Sequence, residues 1–272
     1  MMKLQKAPLA TSGLILGLLG LGNLLKDISL ILNAICGILA ILIWLHLLYS
    51  MFHNFNHVKD QLNNPLVASV FTTFFMSGFL VTTYLNTFFS NVTVINQFII
   101  PLWVVCLIGM LLHMTIFSMK YLKRFTLENV YPSWTVLYIG IAIAGLTAPV
   151  SGYYIIGKAS VIYGFLATCI VLPIVFKRLK AYPLQRSIKP NTSTICAPFS
   201  LVAAAYVLTF PNANSYIIII FLVLSQFFLF LYRFTVTTII KSTFFTSVFS
   251  FYISVSHLSN CFKKQYVSIG IS

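Results

Sequence analysis

The stretch INQFIIPLWVVCLIGMLLHMTIFS, residues 95–118, decides the fold class, because it contains no Lys, Arg, Asp or Glu. A helix needs about 20 consecutive apolar residues to cross a bilayer, and this stretch is long enough. Charged residues return immediately after it, in KYLKRFTLEN, residues 120–129. A long apolar run that ends at a basic segment predicts a membrane-spanning helix.

The rest of the chain repeats this pattern. Of its 272 residues, 59% are hydrophobic and 7% are charged, whereas soluble domains carry about 25% charged residues. The mean hydropathy is +0.96. This composition excludes a soluble enzyme, a nucleic-acid-binding domain and a disordered basic tail, and it predicts an all-α integral membrane protein. Nine apolar runs predict spanning helices, at residues 8–25, 28–52, 65–87, 95–118, 132–151, 153–176, 196–210, 214–232 and 244–262. We expect one transmembrane domain over residues 1–262 and a short tail at 263–272.

The net charge of +14 predicts the orientation of the chain. If the N-terminus is cytoplasmic, the outside segments up to the eighth span hold only Lys26 and Lys158, and the other basic residues before the ninth span lie inside. Lys263 and Lys264 are the exception, because they follow the ninth span. We therefore expect a multi-pass protein of the plasma membrane whose N-terminus is cytoplasmic and whose charge orients it in lipid, with no nucleic-acid partner.

Proline marks the start of alternate spans. The first, third, fifth and seventh spans open near Pro8, Pro65, Pro132 and Pro198, and the even-numbered spans do not share this start. Proline suits the first turn of a helix, where its missing N–H would have no partner. The pattern predicts a repeat of helical hairpins. The alternative is that prolines at helix starts are common and carry no repeat.

The sequence offers no constellation for catalysis. Asp27, Asp60 and Glu128 lie in loops or at helix ends, and the five cysteines are scattered without a CxxC pair. We therefore expect no enzyme activity, no cofactor and no metal site. Coupled carriers usually need an ionisable group inside the membrane. The candidates are three histidines, which are more often packing residues than proton relays: His46, His113 and His257.

Small and hydroxyl residues recur on the odd-numbered spans. Gly13 and Gly17 form a GxxxG motif, and Gly140 lies in the fifth span; we expect these glycines to let helices approach closely. Hydroxyl residues such as Ser200 and Ser250 could donate to a passing anion. The alternative is that such hydroxyls bond to their own helix backbone.

Bulky rings near these small residues are candidates for a constriction. Phe71 and Phe75 lie in the third span beside Thr72 and Thr73. An apolar ring in a narrow pore can close it sterically and by dewetting. Core packing is the alternative for each phenylalanine, and the sequence alone favours it.

Three segments together resemble the tellurite-resistance/dicarboxylate transporter family. They are NPLVASVFTTFFM at residues 64–76, YPSWTVLYIGIAIAGLTAP at residues 131–149, and APFSLVAAAYVLTF at residues 197–210. The resemblance runs from about residue 7 to residue 259. The family includes bacterial tellurite-resistance proteins, fungal malate permeases and sulfite exporters, and plant slow-type anion channels.

This resemblance implies ten helices in five hairpins with pseudo-fivefold symmetry. The odd-numbered helices then form an inner ring around a central pore, and the even-numbered helices form an outer ring. It also implies a homotrimer and small-anion substrates, namely dicarboxylates such as malate, sulfite or monovalent anions. Only KKQYVSIGIS follows the ninth span, so we expect the family's tenth helix to be missing.

The family's gate is altered in the ninth span. The resemblance implies a phenylalanine-threonine-phenylalanine-proline run in this span, and the second phenylalanine of that run closes the pore. The run aligns with Phe251, Tyr252, Ile253 and Ser254. Ile253 therefore takes the place of the gating ring, and Phe251 is the nearest ring to it.

The sequence leaves three functions open. The first is a passive or weakly coupled anion channel or permease with a neutral pore, and this is the interpretation that the sequence favours. The second is a proton-coupled dicarboxylate carrier that uses one of the histidines. The third is a truncated membrane protein that transports nothing.

Overall fold

The computed structural model of the chain describes residues 7–123, 125–185 and 187–236. Within these ranges the chain forms helices and no strand. The α-helices are α1 Thr11–Leu25, α2 Leu30–His53, α3 Phe55–Gln61, α4 Pro65–Phe89, α5 Thr93–Tyr121, α6 Trp134–Ile139, α7 Ile143–Leu146, α8 Ala148–Ser151, α9 Tyr154–Ala181, α10 Ala197–Thr209 and α11 Ser215–Val236. Three 3₁₀ helices accompany them, at Leu127–Asn129, Gly140–Ala142 and Lys189–Cys196.

Each of the first eight predicted spans contains a helix, and the all-α membrane fold is confirmed. Six helices of the described ranges are long and apolar enough to cross a membrane. The first and fifth spans are shorter, at Thr11–Leu25 and Trp134–Leu146. The ninth predicted span, 244–262, lies outside the described residues, and the division into a domain at 1–262 and a tail at 263–272 stays a prediction.

The odd-numbered spans run parallel to one another. Ser12 and Leu19 of α1 bond to Thr73 and Tyr84 of α4 in the same order along both helices. The fifth span likewise meets α4 in ascending order: Ser133 contacts Ser69, and Gly140 lies against Met76. The seventh span meets the fifth in the same sense, through Thr194 with Thr135 and Thr209 with Gly145. The amino ends of these helices therefore lie at the same end of the bundle.

Three of the odd-numbered spans are more buried than the even-numbered ones, whereas α1 buries only one face. In α4, 72% of an 18-residue apolar stretch is buried, whereas the corresponding share in α5 is 22%. The outer helices α2, α5, α9 and α11 expose large apolar side chains along their length, as at Ile31, Val105, Ile155 and Val223. Exposed apolar faces of this extent suit contact with lipid. We call α1, α4, the segment 134–151 and α10 the inner helices.

Each inner helix packs against the outer helix that follows it along the chain. The α4–α5 pair is antiparallel, because Ala68 contacts His113 near one end and Phe79 contacts Trp103 near the other. The structure thus contains the helical hairpins that the alternating prolines predicted.

The fifth span is broken, which the sequence did not predict. A 3₁₀ turn at Gly140–Ala142 separates α6 from α7, and α8 ends at Gly152, whose φ of 76° favours glycine. Pro149 has no N–H to donate to the carbonyl of Gly145, four residues earlier. Instead, the Thr209 hydroxyl of α10 lies 2.8 Å from the Gly145 carbonyl oxygen and 2.6 Å from the Ala205 carbonyl oxygen of its own helix. A neighbouring helix therefore places a hydroxyl within bonding distance of the carbonyl that the proline leaves free.

Candidate functional site

Polar side chains join the inner helices near their amino ends. The Thr73 hydroxyl donates to the Ser12 hydroxyl over 2.8 Å, which connects α4 to α1. The Ser69 and Ser133 hydroxyl oxygens lie 2.6 Å apart and connect α4 to the fifth span. The Asn191 side-chain amide donates to the Ser133 hydroxyl over 3.2 Å. We call these five residues the hydroxyl seam.

Most of these hydroxyls also lie within bonding distance of their own helix backbone. Ser12 donates to the Leu9 carbonyl over 2.7 Å, and Ser69 to the Leu66 carbonyl over 2.9 Å. Ser200, predicted as an anion donor, is buried in α10 and donates to the Ala197 carbonyl over 2.8 Å. A hydroxyl has one proton, so it cannot make the backbone bond and donate to an anion at the same time.

A few buried donors have no partner in the described part of the chain. They include the Thr72 hydroxyl of α4 and the indole N–H of Trp134 at the start of α6. Thr72 lies in the amino-terminal third of α4, and Trp134 lies in the first turn of α6. An unpartnered buried donor is costly unless a ligand or water completes it, and both atoms are shielded from solvent in the described part of the chain.

The inner helices carry no charged side chain. The intervals 11–25, 65–89, 134–151 and 197–209 contain no Lys, Arg, Asp or Glu. Asp27, Asp60 and Glu128 are all exposed. Any solute that moves between the inner helices meets neutral groups. Among the described residues there is no group of three His, Cys, Asp or Glu side chains that could hold a metal ion.

Phe71 and Phe75 lie between α4 and its outer partner α5. The Phe71 ring contacts Phe74, Phe75 and the ring of His113, with a centroid distance of 5.3 Å to the histidine. A Cβ added at Gly109 of α5 would lie 2.9 Å from the Cδ1 atom of Phe75. These contacts favour the packing interpretation for both rings.

The two described histidines of the spans have different surroundings. A ring nitrogen of His113 lies 2.8 Å from the Ala68 carbonyl oxygen, and the ring packs on Phe71 and Phe75. His46 is exposed on the outer helix α2. Neither position connects the inner helices to one another, so neither favours a proton relay through the bundle.

The glycines predicted to pack differ in how closely they are approached. A Cβ added at Gly140 would lie 2.8 Å from the Sδ atom of Met76, whereas one at Gly13 would meet only Val70, at 3.9 Å. Among described atoms, nothing lies within 4 Å of a Cβ added at Gly17. The tightest contact of α1 is at Gly22, where an added Cβ would lie 2.8 Å from the Cβ of Cys36.

Gly157 and Arg178 have roles in packing and charge that the sequence did not predict. Gly145 and Gly157 let the fifth span and α9 approach within van der Waals distance beside Thr209. Arg178, which the sequence placed in a loop, continues α9 and is 5% exposed. A heptad spacing indicates this position. Gly157, Gly164 and Val171 are buried residues of α9 at intervals of seven, and the next position in the series is Arg178.

The predicted gate lies outside the described residues. Phe251 and Ile253, the hydroxyl of Ser250 and His257 all belong to the ninth predicted span. Their roles stay predictions.

Comparison with known families gives one match. The model of the voltage-dependent anion channel family covers residues 6–267, nearly the whole chain. A comparison with curated proteins finds no match. The family match confirms the resemblance that the three sequence segments carry, and the family consists of anion transporters rather than enzymes. The chain is therefore a multi-pass membrane protein that belongs to the voltage-dependent anion channel family.

Proposed function

We propose that the protein lets small anions pass between its inner helices as an uncoupled channel or permease. The observation that carries this proposal is the arrangement of the four described inner helices, which are parallel and without charged side chains, and of which all but α1 are mostly buried. A passage of this kind has no fixed countercharge to trap an anion. Malate, sulfite and monovalent anions such as chloride or nitrate are the candidate substrates.

The amino ends of the inner helices support entry of anions from one side. Each helix N-terminus carries a partial positive charge of about half an elementary charge. Parallel inner helices place these ends together, next to the hydroxyl seam. Exposed lysines lie at the same end, including Lys120, whose ammonium group donates to Asn63 at the start of α4 over 2.6 Å.

We call this end of the bundle the basic end, defined by Lys59, Lys120, Lys123, Lys177 and Lys180. Clustered positive charge raises the local concentration of anions near the mouth of a pathway. We propose that the basic end is cytoplasmic and that the protein lies in the plasma membrane, with an N-terminus on the cytoplasmic side.

The proposal includes a constriction and an assembly that the family resemblance implies. The ninth span would supply Phe251 or Ile253 at the constriction, and Ser250 a hydroxyl beside it. Phe71 and Phe75 pack against α5, which supports a smaller contribution of these two rings to the constriction. We propose a homotrimer in which each protomer contains its own pathway.

The test is anion flux from vesicles that contain the purified full chain. We expect efflux of chloride, nitrate, sulfite or malate above that of empty vesicles. Replacing Phe251 by Ala should increase this leak if the ring narrows the pathway, and no change would remove Phe251 from the gate. Absence of efflux for all four anions, from protein that unfolds cooperatively, would contradict the proposed function.

A further inference from the structure

One cation is buried at the basic end of the bundle. Arg178 lies in the last turn of α9 and is 5% exposed, whereas Lys177 and Lys180 of the same turn are exposed. Among the Lys and Arg residues whose side chains the structure describes, Arg178 is the one that is buried. Burial of a charged group is costly unless something compensates it.

The protein supplies only part of that compensation. The Arg178 guanidinium donates from Nη1 to the Tyr182 carbonyl oxygen over 2.9 Å, and its Cζ atom lies 5.1 Å from the centroid of the Tyr131 ring. The Nε atom is buried and has no hydrogen-bond partner in the described part of the chain. A guanidinium has five N–H donors, and the described residues provide a hydrogen-bond acceptor for one of its nitrogens.

In the described part of the chain, no carboxylate forms an ion pair with this cation. Glu128 is close enough to interact electrostatically with Arg178, but it is exposed and forms no ion pair with it among the described residues. The carboxyl end of α9 contributes about half an elementary negative charge. That contribution leaves part of the buried positive charge without a counter-charge.

We propose that Arg178 binds a small inorganic anion at the basic end of the bundle. A planar guanidinium can bind an oxyanion through two parallel N–H groups, which suits nitrate or sulfite. Tyr131, which covers the guanidinium, directly precedes the Pro132–Ser133 start of the fifth span. An anion held by Arg178 therefore lies close to the hydroxyl seam, and its contribution to transport rests on the proposed function.

The binding test uses the purified full chain in neutral detergent without phospholipid. Nitrate replaces gluconate at constant ionic strength, and thermal unfolding is followed. A ligand that binds the folded state raises the unfolding temperature with its concentration. We expect R178Q to need at least about tenfold more nitrate than the unchanged protein for the same rise. R233Q removes the same kind of group, a guanidinium, at an exposed position in the last turn of α11, and it should respond like the unchanged protein.

A second variant covers the case in which R178Q does not fold. R178K keeps the positive charge but loses the planar pair of donors, so we expect weaker nitrate binding in a folded protein. If R178Q lowers the unfolding temperature but leaves its nitrate dependence unchanged, Arg178 only caps α9 and stacks on Tyr131, and the proposal is overturned. Equal loss in R178Q and R233Q would also overturn it, because it would show nonspecific attraction.

A lipid phosphate is the other source of an oxyanion. The same titration is repeated with phosphatidylglycerol in place of nitrate. Stabilisation through Arg178 by the lipid but not by nitrate would contradict binding of a free anion. In vesicles, R178Q should raise the nitrate concentration that gives half-maximal flux. If the unchanged protein carries no flux, the proposed function fails, while the detergent titration still decides whether Arg178 binds an anion.

Discussion

The hydroxyl oxygens of Ser69 and Ser133 lie 2.6 Å apart, and this bond joins the third span to the start of the fifth. Ser133 occupies the N-cap position of α6 but makes no capping hydrogen bond with its side chain. Its hydroxyl instead contacts Ser69 and Asn191. An N-cap serine ordinarily bonds to the first turn of its own helix. Here the Ser133 side chain instead holds two inner helices and the 3₁₀ helix Lys189–Cys196 together.

Replacing Ser133 by Ala should therefore weaken the packing of the inner helices. Loss of the two contacts leaves the Ser69 hydroxyl with its backbone bond alone, and we expect the free energy of unfolding to fall by about 1 kcal/mol. Urea or thermal unfolding of the purified protein measures it. S193A is the matched control, because Ser193 bonds only to the Pro190 carbonyl of its own segment. An equal loss in the control would show that the seam has no special role.

The break of the fifth span predicts a specific cost for Thr209. T209V keeps the shape of the side chain but removes the hydroxyl that lies within bonding distance of both the Gly145 and the Ala205 carbonyl oxygens. We expect destabilisation of about 1–3 kcal/mol, the usual cost of an unsatisfied buried acceptor. T115V is the control, since Thr115 lies exposed on α5 and bonds to its own helix at Leu111. If both variants unfold alike, the Gly145 carbonyl does not depend on α10.

Replacing Gly145 or Gly17 by alanine should have opposite effects on the stability of the protein. G145A places a Cβ 2.7 Å from Val161 and 3.1 Å from the Gly157 carbonyl oxygen, where backbone must move, so we expect a loss of about 1–3 kcal/mol. G17A meets no described atom within 4 Å and replaces glycine inside a helix, so it should be neutral or stabilise by up to about 1 kcal/mol. Unfolding midpoints of the two variants distinguish these outcomes. A destabilised G17A would reveal a contact of α1 that the described residues do not provide.

His113 should matter for packing and not for coupling. H113L removes the bond to the Ala68 carbonyl, so it should lower the unfolding temperature while anion flux in vesicles continues. H46L should change neither property, because His46 is exposed on α2. Uphill malate uptake driven by a pH gradient and abolished by H113L would instead support the proton-coupled carrier.

The sequence predicts the spans well because a helix that crosses lipid must be apolar over its whole length. The prolines at the starts of the four inner helices also predict the hairpin repeat, since proline favours a helix start wherever the helix lies. The breaks of the fifth span are different. The carbonyl of Gly145, which Pro149 leaves without an N–H donor, lies beside the hydroxyl of Thr209, which is distant along the chain, so the pattern of one span cannot reveal this contact.

The candidate site is predicted less completely. Gly140, Ser69 and Ser133 belong to spans that the sequence marked as small and polar, but only the packing shows which hydroxyls pair. The assignment of Arg178 to a loop was wrong, because α9 continues to Ala181 and its helical period includes Arg178. The gate at Phe251 or Ile253 stays a prediction from family resemblance.

The reversal potential of the current through the full chain in a planar bilayer tests the central claim most directly. With unequal potassium chloride on the two sides, an uncoupled neutral anion passage predicts a reversal potential near the chloride equilibrium potential, unchanged when a pH gradient is added. A reversal potential near that of potassium, or one that moves with the pH gradient, would contradict the account.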